Sequence, residues 1–141
     1  MDTKGTKDTK AFMNPNAASR AVIGCAMKVH TALGAGVLES TVCACLKHEF
    51  SQAGMHVQRD VAVPVVYEGV RLPAGYRVDF IIEKCLVLEV KCVERVLPVH
   101  LAQLMSYLKV TGLKLGLLIN FKVAHLRNGI YRRINGSESD L

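Results

Sequence analysis

Asp79, Glu89 and Lys91 lie within "YRVDFIIEKCLVLEVK", residues 76 to 91, a stretch rich in Val, Ile, Leu and Phe. Charged side chains are rarely buried unless they are paired or bound to metal. In a strand, side chains two residues apart share a face, which puts Glu89 and Lys91 together. A tight hairpin with three residues at its apex sets Asp79 opposite Glu89, where Cβ atoms approach to about 4.5–5.5 Å. Two carboxylates that close repel each other unless a proton or a cation lies between them, and a neighbouring lysine offsets one charge. Hard oxygen ligands suit Mg²⁺ or Mn²⁺, so one reading is a divalent-metal site with a cationic helper. The other is a salt-bridged cluster at a sheet edge, since structural ion pairs are common. A register slip of one residue turns Asp79 to the other face.

The surrounding pattern must position these groups. From Ala17, apolar residues recur at helical spacing (Val22, Ile23, Ala26, Val29), with Ser19 as a candidate cap. "LGAG" breaks this helix. A second runs through "VLESTVCACLKHEFSQAG" to Gly54, with Leu38, Val42, Cys45 and Leu46 inward. Alternation then predicts a strand around Val61 to Tyr67, a turn at Glu68-Gly69, a strand in "AGYRVDFIIE", a turn at Glu83-Lys84 and a strand in "CLVLEVK". Pro98 opens a helix to about Lys109 with Leu101, Leu104, Met105 and Leu108 at helical spacing, ended by Thr111-Gly112. "KLGLLINF" is a further buried strand and "GIYRRI" a last short one. The fold class this predicts is α/β, a mixed central sheet flanked by helices.

A chain of 141 residues, half of them hydrophobic, suits one domain with a real core. Residues 1 to 16 read as a polar, flexible N-terminal arm, expected to be dispensable for folding up to about Asn14. Residues 17 to 135 form the domain and 136 to 141 a C-terminal tail. The net charge of +6 suits a polyanionic partner without establishing one. Five cysteines with no C-x-x-C read as reduced thiols, which fits a reducing cytoplasm, and Cys43-x-Cys45 is too little for zinc. "MDTKGTKDTK" has no apolar signal core, and no apolar run reaches the ~18 residues of a membrane span, so a cytoplasmic protein without a membrane partner is expected. His30 and His100 read as structural histidines.

"VDF", followed ten residues after its Asp by "LEVK", resembles the D…(D/E)-x-K core of the PD-(D/E)XK nuclease superfamily. Gln103 and Tyr107 in "QLMSY" are similar to the Q-x-x-x-Y element of its RecB-type members. The ordered series "VHTALGAGVLES", "PVVYEG", "YRVDF", "LEVK", "AQLMSYL" and "GLLINF" resembles the GxxExxY family of that superfamily. Gly36 and Glu39 match the naming motif; Val42 stands where the family has Tyr, and Val78 where the superfamily has Pro.

The resemblance implies a restriction-endonuclease-like PD-(D/E)XK core and a Mg²⁺- or Mn²⁺-dependent nuclease acting on DNA. It implies that Asp79 and Glu89 bind metal, with the Val90 carbonyl as a further ligand and Glu39 acting through water. Lys91 would position water or stabilise the phosphorane, and Gln103 and Tyr107 would hold substrate phosphate or Lys91. Arg77, Lys109 and Lys114 are expected to contact the nucleic acid. A core this small leaves substrate recognition to a homodimer, a partner protein or loops. The alternative is a non-catalytic nucleic-acid- or protein-binding module on the same fold.

Overall fold

Asn14 and Pro15 start the first helix. Pro15 pre-sets the first helical φ, and the Asn14 side chain accepts the Ala17 N–H at 2.8 Å. The computed structural model describes residues 11–141, so most of the expected arm lies outside the described residues. Within them the elements are α1 (Pro15–Leu33), α2 (Glu39–Gln52), β1 (Val57–Tyr67), β2 (Val70–Ile82), β3 (Leu86–Lys91), α3 (Pro98–Thr111), β4 (Leu115–Asn120) and β5 (Ile130–Ile134). Ser19, expected as a cap, instead lies buried inside α1.

The sheet is mixed and five-stranded, in the order β1-β2-β3-β4-β5. Neighbours run antiparallel except β3 and β4, which are parallel because α3 carries the chain across between them. Helices α1 and α2 cover one face, packing Val22, Leu46 and Phe50 on Phe80, Leu88 and Leu117. On the other face, Leu104, Tyr107 and Leu108 of α3 meet Val78, Val87 and Leu118. Covered on both sides, β3 and β4 are the nearly continuous apolar runs seen in the sequence. Gly116 permits the closest approach, since a Cβ there would meet Leu104 at 2.9 Å. Gly112 ends α3 in the left-handed conformation, φ 75°. Leu38, expected to face inward, is instead exposed, and the buried face of α2 is Val42, Cys43, Leu46 and Phe50.

Two residues ahead of α1 also pack on the domain. Phe12 meets His56 edge-on at 5.3 Å, and the Met13 N–H donates to Glu83 Oε1 at 2.8 Å. Glu83 is buried in the β2–β3 turn, and its other oxygen accepts the His56 N–H. One carboxylate thus ties three segments together. Glu83→Ala leaves two backbone N–H groups without a partner and is expected to cost about 2–3 kcal/mol. Removal of residues 1–13 should also lower the melting temperature. Thermal unfolding checks both; an unchanged midpoint in either variant would refute the clamp. At the other end, residues 136–141 include a short 3₁₀ turn, joined to β5 by an Arg132–Glu138 ion pair at 2.8 Å.

Candidate active site

The carboxylates sit where β2 parts from β3. Pairing runs Ile82↔Leu86, Ile81↔Val87 and Phe80↔Leu88, then stops, while β2 continues against β1. The three-residue apex Glu83–Cys85 gives the hairpin register under which Asp79 and Glu89 oppose each other. No ladder bond closes the fork. The Asp79 N–H donates to Glu89 Oε2 at 2.8 Å, and the Val90 N–H donates to Asp79 Oδ2 at 2.8 Å. Each acid thereby satisfies a backbone donor that the parting strands have left open. The second oxygen of each carboxylate makes no hydrogen bond within the described residues.

The face of β2 also switches at this point. Phe80 and Ile82 pack under α1 and α2, whereas Val78 and Tyr76 pack under α3. Opposite Asp79, the Asp60 backbone has φ 58°, a conformation that marks the irregularity. In β3, Leu88 and Val90 face α1 and α2, so Glu89 and Lys91 lie in the phase of Val87 toward α3. The site therefore opens through the sheet, with Glu39 on one side and Tyr107 on the other.

The electrostatics follow from this crowding. Burial, then the Asp79 charge, pushes the Glu89 carboxyl up to about 8, against the Asp79 N–H bond and the Lys91 charge. Asp79 is also raised, chiefly by burial, with the Val90 hydrogen bond and Lys91 opposing. Glu39 is raised by burial and by Asp79, and lowered by Lys91. Tyr107 is pushed up to about 12 by burial, then by Glu89 and Asp79; its ring packs edge-on against Tyr76 at 5.3 Å. Lys91 is ion-paired with no described carboxylate, and its carbonyl accepts the Phe121 N–H at 2.8 Å.

A hard divalent cation fits this donor set. Two carboxylates each offer an unengaged oxygen, and both hold their protons more tightly than usual, chiefly because they are buried. The Val90 carbonyl projects to the same edge as its N–H, into the fork. Among the described residues, no three His, Cys, Asp or Glu side chains converge enough to hold an ion by themselves. Glu39 lines a cavity of about 210 Å³ with Asp79, Asp60, Arg59 and Cys43.

The other expected residues are spread out. Gln103 is exposed one turn before the buried Tyr107. Arg77 is held by Asp60, through its carbonyl at 2.8 Å and its carboxylate at 3.3 Å. Lys114 precedes Leu115, which pairs with Leu86, whereas Lys91 pairs with Asn120 at the opposite end of β4; Lys109 is exposed near the end of α3. Arg77 thus lies against Asp60, which shares a cavity with Asp79, whereas Lys114 sits at the far end of β4 from the partner of Lys91. Val42, at the family's Tyr position, is fully buried under the sheet. His30 bonds the Val123 carbonyl and His100 accepts the Leu97 N–H, both structural contacts.

Three nearby residues went unread in the sequence. Asn120 is buried and clamps Val93 through both its amide atoms, at 3.0 and 2.9 Å, fixing the chain just past Lys91. Its signal was visible as the one polar side chain in "LGLLIN". Arg59 and Asp60 carried none, because only the fold brings them opposite Phe80 and Asp79.

A family profile of the PD-(D/E)XK nuclease superfamily matches residues 16–134, and the chain belongs to that superfamily. Its mixed sheet with flanking helices is that fold. No curated protein and no solved structure is found to match the chain. No described helix is long and apolar enough to cross a membrane.

Proposed function

We propose that this protein is a metal-dependent nuclease that hydrolyses phosphodiester bonds in DNA, and that it belongs to the GxxExxY branch of its superfamily. The observation that carries the reading is the Asp79–Glu89 pair, crossed over backbone amides at the strand fork, with Lys91 two residues on. Asp79 and Glu89 would hold Mg²⁺ or Mn²⁺ through their unengaged oxygens, with the Val90 carbonyl beside them. Such an ion supplies Lewis acidity and a water of lowered pKa. Lys91 places positive charge against the phosphoryl oxygens as negative charge develops there, or fixes the attacking water. The Tyr107 hydroxyl stays protonated at neutral pH and donates a hydrogen bond to substrate phosphate or orients Lys91. Gln103, exposed one turn away, contacts the same strand, and Glu39 acts through water. The buried Val42 makes the missing family hydroxyl a matter of packing. Five free cysteines suit a reducing cytoplasm.

A binding module without catalysis is the second reading. It is favoured by the crossed hydrogen bonds, through which the carboxylates themselves satisfy the fork's amides. Labelled single- and double-stranded DNA and RNA, incubated with Mg²⁺, Mn²⁺ or EDTA, separate the two. Cleavage of DNA that requires metal is expected. Binding without cleavage under every condition would leave only the module.

A further inference from the structure

A groove leads away from the carboxylates between α2 and β1. Ser40, Cys43, Lys47 and Ser51 recur every three or four residues along one side of α2, spanning about 16 Å of helix. Its first part is the cavity that holds Glu39 and Asp79. The next is a larger, open cavity of about 540 Å³ lined by Lys47, His48, Ser51 and Val57, and Arg59 belongs to both. No described acid lines this second part. The Arg59 guanidinium lies 6.0 Å from the centre of the Phe80 ring, its backbone opposite Phe80 in the sheet. Neither Arg59 nor Lys47 is ion-paired with a described carboxylate. The groove is thus acidic at one end and basic along the rest.

We infer that this groove holds the polynucleotide strand flanking the scissile phosphate, with Arg59 and Lys47 on successive backbone phosphates. The inference rests on the nuclease reading for its direction, and on charge complementarity for its occupant. A phosphate at the carboxylates requires a cation or Lys91 to approach them; the flanking phosphates need bases of the protein's own. Arg59 is suited to this, because a planar guanidinium grips phosphate through paired donors while stacking on a ring. His48 and Ser51 add neutral hydrogen-bonding groups beside them. Arg77 is engaged by Asp60, and Lys114 is at the opposite end of β4 from the partner of Lys91.

Fluorescence anisotropy of a labelled thymidine oligonucleotide, in EDTA so that hydrolysis is off, tests the groove. Lys47→Glu combined with Arg59→Gln should weaken binding about tenfold or more, and should flatten the dependence on log salt by roughly 0.7 for each phosphate no longer neutralised. A charge-matched control, Arg20→Glu with Arg71→Gln, alters exposed residues that line neither cavity and should leave affinity within twofold. Lys47 is exposed, so Lys47→Glu alone remains informative if the double variant fails to fold. Equal losses in the groove and control variants overturn the groove, as does unmeasurable binding by the wild type. Tighter binding of polyglutamate than of the oligonucleotide also overturns it. Cleavage in Mn²⁺ is scored separately. Hydrolysis with unchanged affinity in the groove variants sinks this proposal alone, and groove-dependent binding without hydrolysis sinks only the nuclease reading.

Discussion

Lys91→Ala is expected to lower metal-dependent DNA hydrolysis by roughly 10²–10³-fold while leaving the fold and its response to metal in place. That is the usual loss when one preorganised donor to a developing oxyanion is removed. The structure separates the two functions of the residue. Its carbonyl anchors β3 to Phe121, and alanine keeps that bond. Its ammonium pairs with no described carboxylate, so little native-state ion pairing is lost with it. A charge that acts mainly in the transition state lowers kcat and kcat/KM together and leaves binding nearly unchanged. Single-turnover rates, with melting temperatures taken with and without Mn²⁺, make the comparison. A salt-bridged cluster predicts the reverse: a destabilised Lys91→Ala protein with no metal response in the wild type. A rate within about fivefold of wild type would remove Lys91 from the chemistry.

The parts of the fold that were legible in the sequence were those in which local pattern and global packing agree. The hairpin register across Glu83–Cys85, the Gly112 stop and the α3 crossover each rest on a few adjacent residues whose conformational demands are strong. Asp79 and Glu89 were readable because charge in an apolar strand demands a partner. The start of α1 was misplaced because "NPN" reads as a loop until Asn14 is recognised as a cap and Pro15 as the first helical residue. Leu38 was misassigned because helical periodicity alone cannot tell where α2 overhangs the sheet. The face switch at Asp79 was invisible. It falls opposite the positive φ of Asp60 on the neighbouring strand, which leaves no periodic trace. That switch is why the site opens through the sheet, and why Arg59, on another strand, lies beside it.

The fork carries a cost that pH should reveal. In metal-free protein the Glu89 carboxyl holds its proton up to about 8, raised by burial and then by Asp79, and Asp79 is raised too. An unfolded glutamate ionises near 4.3. Between these values the native state keeps a proton that the unfolded chain has released, so stability falls as pH rises. The contribution is fully present below about pH 4.3 and is lost as pH passes through about 8. Over that span the loss is on the order of 3–5 kcal/mol. Glu94 and Glu138, lowered by Lys122 and Arg132, act with the opposite sign and only as pH falls below the usual carboxylate range. Glu89→Gln keeps an oxygen for the Asp79 N–H and removes the charge. It should unfold with a much flatter dependence from pH 5 to 8.5, and should be more stable than wild type at pH 8.5. A cation competes with the proton for the same oxygens, so millimolar Mn²⁺ should raise the wild-type melting temperature little at pH 5 and far more at pH 8.5. At a hundredfold excess over Kd the gain is roughly 2.7 kcal/mol. Glu89→Gln should lose most of it. Calorimetry of both proteins across that range, with EDTA or Mn²⁺, decides the matter. Wild-type stability that holds level or rises with pH in EDTA would mean that the folded state does not keep the Glu89 proton. A Mn²⁺ shift equal at both pH values, or retained in Glu89→Gln, would place the ion elsewhere.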